Sequence, residues 1–324
     1  MECLVVERRE GAAWYKQFRF RTAVGSVRHP NFFIVGAPKC GTTSIASWLA
    51  GNAGVFMAPV KEPHHFSADL RIDNRPVATD DAYLALFAAA TAEHVAVGEA
   101  SVSYLYSRDA LPTIVARWPD ARFIVCLRNP MDMAYSLHGQ ALLSGNEDLR
   151  DFEDAWDALD DRLRGERIPH LCQAPWTLQY GPVCSLGAQL ERAIAQVGRQ
   201  QILPLLLEDV EADPAEAYRR VLAFLGVPHD GRDRFPVLNV AARRRFPVLH
   251  TAAQRAVRLR RALRIPPLGI PVLRWLDRLN RAPSDRPPLA PNMRARLADY
   301  FADDIGKLES LLDRDLTHWR HPHA

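Results

Sequence analysis

The stretch FFIVGAPKCGTTS, residues 32–44, sets an apolar run directly before a glycine-bounded loop and a hydroxyl-rich helix start. Phe32, Phe33, Ile34 and Val35 predict a buried strand that Gly36 ends. Gly41 follows, and Thr42, Thr43 and Ser44 open a helix that continues through Ile45, Trp48 and Leu49. Strand, loop and helix in that order are what a phosphate-binding loop requires, since backbone N–H groups and a helix N-terminus then face one anion. The lysine, however, is displaced. In GxxxxGK[ST] it follows the second glycine, whereas here Thr42 holds that place and Lys39 lies inside the loop.

Working outward, strand candidates alternate with helices. Short strands are expected from Val55 and over 94–101, a strong one over 121–130, and another in QQILPLLLED, where Pro204 weakens the pattern. Helical spacing marks Asp80 to Ala90, Arg108 to Arg117, Pro130 to about Leu143, Asp151 to Arg164 and Leu186 to Val197. In DPAEAYRRVLAFLG, Asp213 can cap, Pro214 suits the first turn and Gly226 can stop the helix. A last amphipathic helix, PNMRARLADYFADDIGKLESLL, places Leu297, Tyr300, Phe301, Ile305, Leu308 and Leu311 on one side. The expected fold is α/β: a P-loop-like three-layer arrangement, its mainly parallel sheet covered by helices on both faces. We expect a single domain over residues 1–324, with a basic, Arg- and Pro-rich helical insertion at about 246–291.

Composition narrows the function. The 324 residues are 48% hydrophobic and 24% charged, enough for a sizeable core. No apolar stretch approaches the ~20 residues that span a bilayer, and the N-terminus lacks the pattern of a secretory signal. Five scattered cysteines (Cys3, Cys40, Cys126, Cys172, Cys184) suggest reduced thiols and a cytoplasmic setting. Cys40 lies in the loop without an adjacent base, so it reads as a small residue that fits there. A net charge of +3 is too small to argue for nucleic acid. Four lysines stand against 37 arginines, so a lysine in the loop suggests a need for a compact, rotatable ammonium.

A nucleoside triphosphatase of the P-loop kind holds magnesium partly through an aspartate at a neighbouring strand end. The corresponding position of RFIVCLRNP is Arg128, Asn129 is neutral, and Asp132 falls in the predicted helix. An arginine there attracts phosphate and repels a metal ion. Backbone N–H groups of residues 39–44 can hold a 5′-phosphate, Lys39 can lie beside a bridging oxygen, and Arg128 supplies a second anion site. A donor with phosphates at both ends of its adenosine and no metal requirement is 3′-phosphoadenosine 5′-phosphosulfate.

These motifs resemble the sulfotransferases that use that donor, in particular the branch with bacterial sulfotransferases and the sulfotransferase domains of heparan sulfate enzymes. GAPKCGTTS resembles their 5′-phosphosulfate loop, and LRNPMDMAYS resembles their 3′-phosphate motif, with Arg128 and Ser136 eight residues apart. KEPHHFS resembles the segment bearing the catalytic glutamate, GEASVSYL a motif after the next strand, and LESLLDRDLTHW the end of many bacterial members. The resemblance spans about 30–245 and 290–319. It departs at Met133 and Ala100, where arginine and lysine are frequent, at Ser67, where some relatives have an acid, and at Leu186, where tyrosine is usual.

The resemblance implies that Glu62 takes the acceptor proton, Lys39 stabilises the departing phosphate oxygen, and His64 serves as base or orients the acceptor. It implies that Lys39, Cys40, Gly41, Thr42, Thr43 and Ser44 hold the 5′-phosphosulfate, and Arg128 and Ser136 the 3′-phosphate. Lys61, His65, Glu99 and Ser101 are assigned to the acceptor side. Adenosine 3′,5′-bisphosphate is the implied product, the acceptor a small molecule or glycan, and no metal or nucleic acid is called for. His64 and His65 are adjacent but lack a third ligand at convincing spacing. The alternatives are a P-loop kinase or nucleotide hydrolase, and a non-catalytic nucleotide-binding protein. The segment Arg255–Arg281 carries eight arginines and reads first as a helix pair with a solvated arginine face. Its sharper reading is a lid, or a peripheral contact with membrane or an anionic acceptor.

Overall fold

The computed structural model describes residues 4–10, 13–19, 28–73, 75–236, 242–244, 281–283 and 286–320. Its frame is a five-stranded, wholly parallel sheet. A two-stranded antiparallel hairpin comes first in the chain, β1 (Leu4–Glu10) with β2 (Ala13–Arg19), closing at Glu10↔Ala13. The sheet then takes β3 (Phe32–Gly36), β4 (Val55–Met57), β5 (Ala96–Ala100), β6 (Arg122–Leu127) and β7 (Ile202–Leu206) in the spatial order β4-β5-β3-β6-β7.

The central place of β3 follows from its composition. A parallel strand covered on both faces needs apolar side chains at every position, and Phe32, Phe33, Ile34 and Val35 are all fully buried. Each such side chain contributes about 1.5–3 kcal/mol relative to exposure. Gly98 on β5 lets the neighbouring strand close in, because a Cβ there would lie 2.3 Å from the Phe32 carbonyl oxygen. Pro204 is accommodated because β7 is an edge strand, where a missing N–H interrupts no ladder.

The chain runs β3, β4, β5 to one side and then crosses β3 to continue as β6 and β7. This reversal makes the carboxyl ends of β5, β3 and β6 the crevice in which open α/β sheets bind ligands. Helix α1 (Thr42–Ala50) follows β3, α2 (Asp80–Ala85) precedes β5, α3 (Ala110–Arg117) precedes β6, and α4 (Pro130–Ser144) follows it. Asn129 caps α4 by accepting the Met131 amide at 3.0 Å, with Pro130 in its first turn. The Pro214–Leu225 helix has the expected caps, Asp213 accepting the Glu216 amide and Gly226 in the left-handed region.

Several boundaries differ from expectation. The helix expected from Asp80 to Ala90 ends at Ala85 and continues as turns. The acidic helix expected over Asp151–Arg164 is two short helices, Phe152–Asp157 and Leu159–Leu163, parted at Ala158, where ψ is 0°. Tyr300 sits on the Pro291–Leu312 helix but is 50% exposed, while Met293 joins Leu297, Phe301, Ile305 and Leu308 inside. Most of the basic insertion expected at 246–291 lies outside the described residues. Two described strands, Ala242–Arg244 before it and Arg281–Pro283 within it, pair antiparallel. Among the described residues no helix is long and apolar enough to cross a membrane.

One ionic cluster stiffens the helical layer. Arg162 and Glu147 form a bidentate pair at 2.8 Å with both side chains fully buried. Tyr180 donates to the same carboxylate at 2.7 Å, and the Asp148 and Leu149 amides donate to it at 2.9 and 3.0 Å. Truncation of one member leaves a buried charge unpaired. Arg162→Ala is therefore expected to lower unfolding free energy by about 3–5 kcal/mol. Urea unfolding measures it, and a change below about 1 kcal/mol, the scale of an exposed pair, would contradict the burial argument.

Candidate functional site

Four segments leave the carboxyl ends of adjacent strands and meet: 37–44 after β3, 58–67 after β4, 99–107 at and after β5, and 128–140 after β6. In the first, Gly41 starts α1 at φ 82°, and no side chain caps the helix. A glycine is required there twice over, by the positive φ and because a Cβ would come within 2.9 Å of Leu207 Cδ1. The uncapped first turn leaves backbone donors facing the crevice. Thr42 is buried and Thr43 half-buried at that end. Ser44 is buried one residue on, its amide donating to the Gly41 carbonyl at 3.0 Å.

Two cations converge on the loop. Arg128 donates from Nη1 to the Lys39 carbonyl at 3.2 Å, and Lys39 Nζ reaches Gln140 Oε1 of α4 at 3.5 Å. Among the described residues Arg128 has no carboxylate partner. Asp132, the nearest acid in sequence, is tied to Arg294 at 3.1 Å. Burial, and then the Arg128 charge, push the Lys39 ammonium below its ordinary range. Ser136 is half-buried on α4, eight residues beyond Arg128. Cys40 is buried, its Sγ donating to the Pro38 carbonyl at 3.4 Å and lying 3.7 Å from Met133 Sδ. Burial pushes its thiol well up, which keeps it protonated and unreactive.

The second segment carries Glu62 and His64. Glu62 Oε1 is bonded by Lys61, and its Oε2 lies 3.4 Å from His64 Nε2. Burial alone would raise the Glu62 carboxyl; the His64 hydrogen bond and the Lys61 ammonium outweigh it and hold it at about 2. His64 Nδ1 contacts Ser103 Oγ at 2.7 Å, and Ser103 contacts Ser67 Oγ at 2.6 Å. His65 turns elsewhere: it bonds Asp80 at 2.7 Å and stacks on Tyr83, ring centroids 4.6 Å apart. Among the described residues no three His, Cys, Asp or Glu side chains gather as metal ligands.

Lys39, Glu62 and His64 all have positive φ, at 67°, 61° and 52°. Such conformations cost about 1–3 kcal/mol each in non-glycine residues and persist only where the surroundings over-determine them. Arg75 supplies much of that constraint. It donates to the carbonyls of His64 at 2.8 Å, His65 at 3.2 Å, Ser67 at 2.8 Å and Leu70 at 3.0 Å. From below, the Glu62 amide donates to the Ala100 carbonyl at 2.8 Å, and the His64 amide to Ser101 Oγ at 3.0 Å. Glu99, only 1% exposed, accepts from Ser101 at 2.8 Å.

Sequence reasoning passed over Arg75, Ser103 and Gln140. For Ser103 a signal existed, since Ser101 and Ser103 alternate just past a strand end and alternate residues share a face. Arg75 and Gln140 carry none that distinguishes them from other polar residues.

Residues 30–231 match the family described as Sulfotransferase family. Carbohydrate sulfotransferase 15 of Homo sapiens is 27% identical over 273 residues, 65% of this chain and 45% of that protein. Heparan sulfate glucosamine 3-O-sulfotransferase 6 of Homo sapiens is 28% identical over 214 residues, 63% of this chain and 54% of that protein. The chain thus spans about half the length of these two relatives. The crystal structure of a sulfotransferase from Alicyclobacillus acidocaldarius superposes with a TM-score of 0.67 at 28% identity, covering 91% of this chain and 100% of that one.

The low Glu62 pKa makes the site's charge state testable. A carboxyl depressed from 4.5 to about 2 contributes stability that is full above 4.5 and lost as pH falls through about 2. Lys61→Met removes one of the groups holding it down. Carboxyl NMR titration should then find the Glu62 pKa moved upward toward 4.5. An unmoved value would remove Lys61 from the cause.

Proposed function

This chain belongs to the sulfotransferase family, and on that premise we propose that it transfers the sulfuryl group of 3′-phosphoadenosine 5′-phosphosulfate to an acceptor hydroxyl. The observation that supports the choice of donor is the Arg128 guanidinium donating to the Lys39 backbone carbonyl at 3.2 Å, which brings both cations to one loop where a magnesium-dependent P-loop would present an acid. An uncapped α1 start and a cation that has no carboxylate partner among the described residues are what a phosphate at each end of an adenosine would complement. In this reading Lys39 and the amides of residues 39–43, with Thr42 and Thr43, hold the 5′-phosphosulfate; Arg128 and Ser136 hold the 3′-phosphate.

The donor supplies an activated sulfuryl group, and its transfer is an in-line displacement in which positioning and charge stabilisation dominate. The work of the chain follows from its geometry. Glu62 is ionised at all working pH values and takes the acceptor's hydroxyl proton as the new S–O bond forms. Its strained backbone fixes the direction from which it acts. His64, donating from Nε2 to Glu62, orients the carboxylate. Lys39, its proton loosened by burial and by Arg128, meets the charge that develops on the phosphate oxygen as the old S–O bond breaks. The favoured acceptor is a carbohydrate hydroxyl, in keeping with the names of both curated relatives. Lys61 stands at the mouth of the acceptor side, while the Asp80 contact of His65 gives that residue a role in holding the loop. The buried thiols suit a cytoplasmic, reducing setting.

Two variants test the reading. Glu62→Gln should lower turnover by about 10²–10⁴-fold, the range of general-base catalysis, while binding adenosine 3′,5′-bisphosphate as the wild type does; unchanged kcat would remove the base. Arg128→Ala should weaken that bisphosphate about 10–100-fold in calorimetry, the worth of a charged hydrogen bond. Avid uptake of Mg·ATP with the bisphosphate ignored would favour a kinase or nucleotide hydrolase instead.

A further inference from the structure

The loop that bears Glu62 and His64 rests on a carboxylate that does not reach the surface. Glu99 stands near the end of β5, in the middle of the site's floor. Its Oε2 accepts from the Ser101 hydroxyl at 2.8 Å and its Oε1 from the Tyr83 hydroxyl at 3.4 Å; the Tyr104 hydroxyl is a close neighbour. Two of these hydroxyls face the loop on their other side. Ser101 Oγ accepts the His64 amide at 3.0 Å, and the Tyr104 oxygen accepts the Phe66 amide at 3.4 Å. The Ser101 hydroxyl thus has a fixed polarity, proton toward Glu99 and lone pair toward the loop. An ionised carboxylate, which accepts only, enforces that direction.

We propose that Glu99 is a positioning residue for the Glu62–His64 pair: through the Ser101 hydroxyl it sets the backbone from which both side chains are aimed. The inference rests on the reading of Glu62 as proton acceptor. It also moves Glu99 from the acceptor side to a place beneath the loop, since a side chain with 1% of its residue surface exposed does not touch an acceptor. The strained φ of 52° at His64 is where such support is needed, because the amide of that residue is the one Ser101 holds.

The charges around Glu99 give the role a signature. Tyr83 faces it from α2, Tyr104 from the loop after β5 and the Glu62 carboxylate from above, with Arg117 of α3 behind Tyr83. Among the described residues no cation pairs with it, and burial lifts its carboxyl to about 7. Protonated, it would present an O–H to one relay oxygen and compete with a loop amide for the lone pair. The ordered loop therefore belongs to the ionised form, and kcat should rise with pH through about 7. Stability runs the other way. A folded-state pKa raised from 4.5 gives stability that is full below 4.5 and lost as pH rises through about 7. A merely structural Glu99 would not set activity and stability moving in opposite directions.

The test uses the full chain and its Glu99→Gln and Ser101→Ala variants. Hydrogen exchange over residues 62–70 and 36–50, calorimetry with adenosine 3′,5′-bisphosphate, and pH profiles of kcat and melting temperature are the readouts. Glu99→Gln should exchange faster over 62–70 and unchanged over 36–50, bind the bisphosphate as before, and lose the inflection in kcat near neutrality. Its kcat should fall about 10–100-fold with little change in acceptor KM, as misplacement of a reacting group does. Ser101→Ala, which spares the buried carboxylate, should show a smaller effect in the same direction. Unchanged exchange over 62–70 in both variants overturns the inference. Full turnover in Glu62→Gln would sink the base assignment instead, and the exchange result would still decide the place of Glu99.

Discussion

Like charges brought together on a loop of partial positive charge are the constraint around which this site is built. The amides at the start of α1 already carry the positive end of a helix dipole, and the fold adds Lys39 and Arg128 to them without a carboxylate in between. Such an arrangement is costly in isolation, as the depressed Lys39 ammonium records. In the proposed reading an anion of matching shape offsets that cost, and the sheet supplies the rigidity that keeps the charges from drifting apart. The four fully buried side chains of β3 and the parallel ladders on both sides hold Gly36, and with it the loop, in place.

Opposite Lys39, the Glu62 loop solves a different problem, that of holding two side chains on strained backbone. Its peptide groups are sorted by polarity. The carbonyls of residues 64, 65, 67 and 70 turn to one guanidinium, Arg75, while the amides at 62, 64 and 66 turn down to the Ala100 carbonyl and to hydroxyl oxygens backed by Glu99. Arginine suits its side of the loop because its planar fork presents several donors in fixed directions, which a lysine cannot. A hydroxyl suits the other, because it can accept from above and donate below at once. The loop is thus clamped by a cation and an anion that never meet.

What the sequence made legible was local. The strand Phe32–Gly36, the helix from Thr42, the Pro130 helix start and the Asp213 and Gly226 caps are each written in a few adjacent residues, and each is found. The displacement of the lysine and the arginine at the end of β6 were equally plain, and the structure brings the Arg128 guanidinium to the Lys39 carbonyl. The clamps were not legible, since nothing in the sequence marks Arg75 as the side chain that turns back on the carbonyls of its own loop, and the Ser101 and Tyr104 hydroxyls meet the His64 and Phe66 amides only after β4 and β5 are laid side by side. The break at Ala158 was hidden for a related reason: the apolar spacing continues across it, while Ala158 itself is fully buried and takes ψ of 0°. Periodicity reports which face is apolar, not whether the backbone turns between two turns of helix.

The end of the chain shows how a distant segment comes to support the proposed anion site. Asn129, next to Arg128, accepts the Met131 amide through Oδ1 and donates through Nδ2 to the Trp319 carbonyl at 3.1 Å. Trp319 is 1% exposed and its indole donates to Glu208 Oε2 at 3.0 Å. The Pro291–Leu312 helix that leads to it is itself fastened, since Asp304 accepts the Gly187 and Ala188 amides at 2.8 Å and so caps the Leu186–Val197 helix from outside. The side chain that starts α4, and so fixes the direction of the helix carrying Ser136 and Gln140, is therefore held by residues nearly two hundred positions later. A change in the THW turn would be felt first as a loss of register between Arg128 and Ser136, because Asn129 is the joint between strand and helix at which both are set.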